Sequence, residues 1–64
     1  MNIEIDKDVD AAYIKIQSEA IQVAKTIEVN ENIILDFDKN GKLIGIEVLN
    51  ASKNLNSSFL KEIV

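Results

Sequence analysis

The chain has no cysteine, no histidine and no proline, and only two glycines. Without cysteine and histidine there are no disulfides, no thiolate zinc sites and no imidazole metal sites to staple a small fold. The same two absences remove the familiar partners of a nucleophile–base pair, since the serines fall only in turns and beside a helix cap. No enzyme is therefore expected, and no cofactor. Gly41 and Gly45 both belong to one hairpin, which leaves no glycine-rich loop to cradle a phosphate. Long apolar runs are missing too, so no stretch approaches the ~20 residues needed to cross a bilayer. The start, MNIEIDKD, has no basic n-region and no apolar h-region, hence no visible secretory signal. Lack of cysteine fits a reducing compartment, and the expected location is the cytoplasm.

What is present is short and acidic. The 64 residues carry 11 Asp+Glu against 7 Lys+Arg, a net charge of −4. That balance argues against nucleic acid, whose binding rests on cations that contact phosphate. A basic or cationic partner suits the surface better. One domain over 1–64 is expected, and a chain of this size buries only about 60% of the surface it exposes when unfolded. Self-association is an inexpensive way to bury more, so a homodimer is expected.

The most legible stretch is 32–49, NIILDFDKNGKLIGIEVL. Residues on either side of Asn40-Gly41 alternate at period two, and Asn-Gly suits the φ > 0 positions of a two-residue type I′ turn. In that register Lys39 faces Lys42, and Phe37–Ile44, Leu35–Ile46 and Ile33–Val48 pair on one face. A three-residue loop would pair Leu35 with Gly45 and Ile33 with Glu47 and split the apolar set. Burial therefore favours the two-residue turn.

Upstream, 2–5 reads as a strand with Ile3 and Ile5 on one face, and 6–10 as a polar loop. The next strand, 11–17, sets Ala12, Ile14 and Ile16 on one face and Tyr13 and Lys15 on the other. A third, 21–29, holds Ile21, Val23, Ile27 and Val29 in phase, with Lys25 interrupting as suits either a sheet edge or a stem buried along the sheet with its head in water. Short connections favour antiparallel neighbours. The expected class is α+β: an antiparallel β-meander sheet of four to five strands over 2–49, then a tail and a short C-terminal helix over 50–64. Asn56 or Ser57 can cap that helix, and Phe59, Leu60, Ile63 and Val64 lie along one stripe. Two turns do not stand alone in water, so the stripe must dock on the chain's own sheet or on a partner, and these four residues are the partner-binding candidates.

Two acidic groupings invite a metal reading. Asp36-x-Asp38-x-Asn40-Gly41, followed after five residues by Glu47, matches the EF-hand calcium loop at its specified positions. An EF-hand needs flanking helices, however, and both flanks here alternate at period two. Asp36, Asp38 and Glu47 are instead expected on the solvated face opposite the apolar one. Asp6, Asp8 and Asp10 form a second group, whose ordinary role is to bond backbone N–H groups in a turn. Tyr13 is expected half-buried with its hydroxyl on a loop aspartate, with a catalytic acid or a partner hot spot as the functional alternatives.

The segments DKDVDAAYIKI (6–16) and EVNENIILDFDKNGKLIGIEVLNAS (28–52) resemble the small prokaryotic family known as domain of unknown function 2283. Its members run as a strand, then D-x-x-x-D-A-x-Y-I, then E-V-x-x-x-I-x-x-D-x-D-x-x-G-x-x-x-G-I-E-x-L-x-A-S. Ala12 stands where a larger aliphatic residue is common, and the tail after Ser52 is outside the signature. The resemblance implies a cytoplasmic accessory protein, whose relatives are thought to be encoded beside small toxin-like proteins of ribonuclease fold. A non-enzymatic protein-interaction module is thus the leading expectation, in its most concrete form an antitoxin-like partner of a small basic ribonuclease-type toxin. Divalent-cation binding and purely structural self-association are the alternatives.

Overall fold

The computed structural model of the chain describes residues 1–17 and 19–58. Strands β1 (Asn2–Asp6), β2 (Ala11–Lys15), β3 (Lys25–Glu28), β4 (Ile33–Phe37) and β5 (Leu43–Leu49) are followed by a single helical turn, α1 (Ala51–Asn54). The strands form one antiparallel sheet in the order β1-β2-β5-β4-β3. A hairpin, β1–β2, thus lies against the last strand of a meander, β3–β4–β5. Class and architecture are those expected from the sequence.

Register gathers the apolar alternation onto one face. Ile3, Ile14, Ile46, Leu35 and Ile27 form one cross-strand row. Ile5, Ala12, Val48 and Ile33 form the next. Helix α1 covers the second row, where Ala51 packs with Ala12 and Val48, and Ile5, Ile33, Ile46 and Leu55 close around them. At the other end the face is open, with Ile16, Ile27 and Leu43 exposed. Among the described residues only Ala12, Ile44, Gly45, Val48 and Ala51 are buried.

The central hairpin keeps its expected register by a different turn. Asp38 N–H donates to Lys42 O at 2.9 Å and Gly41 N–H to Asp38 O at 3.0 Å, so the loop has three residues, 39–41, rather than two. Gly41 takes φ 80° while Asn40 does not enter the left-handed region, which describes a type I turn closed by a glycine bulge. The Asp38 carboxylate fixes it by accepting from the N–H groups of Asn40 and Lys42, at 2.8 and 2.9 Å. Phe37 consequently faces Leu43 instead of Ile44, and Lys39 does not face Lys42. A second irregularity between Asp36 and Phe37 leaves Ile44 as an extra residue, and Leu35–Ile46 and Ile33–Val48 pair as the apolar pattern demands. The chain meets both the turn chemistry and the burial requirement by spending one residue.

Other boundaries also shift. The third strand covers Lys25–Glu28 rather than 21–29, because β4 turns at Asp38 and residues 21–23 have no ladder partner left. The second ends at Lys15, two residues early. Lys25 does stand on an edge strand and is exposed there.

The helical turn α1 follows β5 directly, upstream of the Asn56–Ser57 cap expected for the C-terminal helix. Asn50 makes the corner with φ 52° and ψ 49°, a conformation asparagine tolerates better than most residues. Its side chain gives no cap hydrogen bond to the helix. Asp10 supplies the cap from the β1–β2 loop: its carbonyl accepts from Ala51 N–H at 2.8 Å, and its carboxylate from Ser52 N–H at 3.0 Å and Ser52 Oγ at 2.7 Å. A single turn lacks the length to persist in water, and this staple together with the packing of Ala51 holds it. Further on, Asn56 Oδ1 accepts from Ser58 N–H at 2.8 Å, a capping bond of the kind expected at that position. Phe59, Leu60, Ile63 and Val64 lie outside the described residues.

Candidate functional site

The face opposite the apolar rows carries the polar chemistry. One row runs Glu4, Tyr13, Glu47, Ile34 and Glu28, and the next Asn2, Lys15, Gly45, Asp36 and Thr26. Tyr13 leans diagonally across β5 at Gly45, whose missing side chain makes the room, and its hydroxyl donates to Asp36 Oδ2 at 2.9 Å. Thr26 Oγ1 donates to the other carboxylate oxygen, Oδ1, also at 2.9 Å. Four strands are tied together by this chain of contacts. The tyrosine is half-buried as expected, but its acceptor is a strand aspartate rather than one from a loop.

Electrostatics holds the phenol neutral. Its pKa is pushed up from 10.0 to about 12, first by burial, then by the hydrogen bond to Asp36 and by the negative charges of Asp36, Glu47 and Glu4. Below that range Tyr13 stays a hydrogen-bond donor, and both Asp36 oxygens already accept. The arrangement fixes a rigid aromatic ring on the sheet.

Beside the ring lies an open groove of about 490 Å³, lined by Glu4, Asp6, Lys7, Asp8, Tyr13 and Glu47 among others. Within 1–10 four acids stand against one lysine, and this end of the sheet therefore holds much of the net negative charge. Asp6 and Asp10 do the backbone work expected of them, Asp6 by accepting from Asp8 N–H at 3.0 Å. The three candidate metal ligands are dispersed. Asp36 holds Tyr13 and Thr26, Asp38 holds the turn, and Glu47 stands opposite Tyr13 in the groove. Among the described residues no three such side chains gather within reach of one ion.

Sequence reasoning missed Gly45 and Thr26. A glycine inside a strand pattern often marks the close approach of another group, and that was the available signal for Gly45. Thr26 carried none.

The Tyr13, Gly45, Asp36 and Asp10–Ser52 positions all fall inside a stretch, residues 2–52, that matches the family model described as "Protein of unknown function (DUF2283)". The chain belongs to this family. Its relative "Uncharacterized protein MJ0789" from Methanocaldococcus jannaschii is 39% identical over 56 residues, which cover 88% of this chain and 47% of that protein. The chain thus spans about half the length of the curated relative it matches. No solved structure matches it. For this DUF2283 domain the family match extends through Ser52, so it takes in Asp10 and the residues it caps but not the stripe from Phe59 onward. Among the described residues no helix is long and apolar enough to cross a membrane.

Proposed function

We propose that this DUF2283 chain is a non-enzymatic protein-interaction domain of the cytoplasm, and that the groove beside Tyr13 receives a small basic protein. In its most concrete form that partner is a ribonuclease-type toxin, which the domain neutralises by covering its cationic surface. One observation carries the reading: an acidic groove lies open beside an aromatic ring that Asp36 holds in place. A small basic protein complements that charge. Charge directs it to the groove, where Glu4, Asp6, Asp8 and Glu47 surround a ring held in place from behind.

The test is charge reversal. Native mass spectrometry of the protein isolated gently from its source cells identifies a basic protein held at fixed stoichiometry. Glu4→Lys combined with Glu47→Lys then weakens binding of the purified partner steeply, and Glu19→Lys does not. Affinity that is equal in all three and insensitive to salt would sink the reading.

A further inference from the structure

The edge strand β3 and the residues flanking it carry a concentration of exposed apolar side chains. Ile21, Val23, Ile27 and Val29 are 37%, 44%, 40% and 56% exposed, and they recur at period two over 21–29. Alternation of that length is useful to a strand that is paired along its length. The ladder with β4 spans Lys25–Glu28, with Ala24 and Val29 each adding one N–H bond at its ends, and among the described residues nothing pairs with the outer side.

Backbone geometry shows what that outer side offers. Val29 N–H donates to Ile33 O at 2.8 Å, in register with Ile27–Leu35 and Lys25–Phe37. Alternate residues exchange bonds across an antiparallel ladder, so 25, 27 and 29 bond to β4. The N–H and C=O groups of Thr26 and Glu28 therefore face outward. We infer that a second copy of this chain pairs on this edge, β3 antiparallel to β3, and that the two sheets become one about a twofold axis.

The outward groups sit on even-numbered residues, so even pairs with even. This places the apolar faces of both copies on the same side. Registers that set Lys25 opposite Lys25, or Glu28 opposite Glu28, are opposed by like charge. Thr26 or Ile27 is left on the axis. Charge also selects this edge over the other: 21–29 holds one lysine and one glutamate, which balance, whereas β1 presents Glu4 and Asp6. Two β1 edges repel. The basic-partner reading uses the groove at the β1 edge, so either proposal stands if the other fails.

Absence of cysteine makes the test clean. Sedimentation and native mass spectrometry over a roughly hundredfold dilution series report a dimer that dissociates by mass action. Under mild oxidation Ile27→Cys or Thr26→Cys cross-links as a dimer, whichever lies on the axis, and Glu4→Cys does not. Glu28→Pro removes an outward N–H that β4 does not use, and weakens the dimer by about tenfold or more with the circular dichroism spectrum retained. Ile27→Lys, an exposed substitution, does the same should the proline variant not fold. A monomer at every concentration overturns the inference, as does a dimer that neither cysteine variant traps.

Discussion

The ring of Tyr13 lies against Gly45, in the space that a β-carbon on that glycine would take. The pair lets one side chain on β2 reach over β5 and bond Asp36 on β4. Gly45→Ala displaces the ring and breaks that bond, at a cost of about 1–3 kcal/mol. Urea unfolding measures it. In the Tyr13→Ala background the same substitution costs much less, and additive losses would separate the two residues.

Tyr13→Phe keeps the ring and removes its donor to a carboxylate, for a loss of about 1.5–3 kcal/mol. The pH profile identifies the group. Its folded pKa of about 12 lies above the ordinary value of 10.0, so the stabilisation is fully present below pH 10. As pH rises the unfolded chain releases the proton first, and stability falls until the folded phenol also ionises. Thermal melts between pH 10 and 12 fall more steeply in the parent than in Tyr13→Phe; parallel curves would contradict the assignment.

Asp10 does two things at φ 54°: it occupies a left-handed position and caps α1 through Ser52. Asp10→Ala loses the cap and strains the backbone, about 2 kcal/mol together. Asp10→Gly loses the cap alone and falls between Asp10→Ala and the parent. Ser52→Ala removes only the hydroxyl bond, about 1 kcal/mol. This order in melting temperature separates cap from strain.

Gly41 stands at φ 80° with open space where a β-carbon would go. Gly41→Val is therefore destabilising by more than about 1 kcal/mol through backbone strain alone, and Gly41→Asn by much less. Equal melting temperatures for both variants would show that strain is not the cause.

These residues also mark where sequence is informative. Ile33–Val48 and Leu35–Ile46 were readable, because period two and burial act over short separations. The turn between them was not, since the extra residue at Ile44 lets a three-residue loop coexist with a register that a two-residue loop also satisfies. The third strand was read too long because its length depends on where β4 turns, a property of the partner. Tyr13–Asp36 and Asp10–Ser52 lie 23 and 42 residues apart, and both depend on β2 pairing with β5, which no local pattern announces. The family resemblance brought these positions into one signature without saying that they touch.

Among the described residues β5 is the last strand in sequence, yet it lies in the middle of the sheet, between β2 and β4. The β1–β2 ribbon is made before β5 and lacks that neighbour until residue 49 has been made. A two-stranded ribbon is marginal alone, so it waits. Docking of the early ribbon on the late strand seats Tyr13 over Gly45 and brings Asp10 to Ser52 in one step. Both long-range ties of the early ribbon, Tyr13 to Asp36 and Asp10 to Ser52, therefore wait for the chain to be made through Ser52.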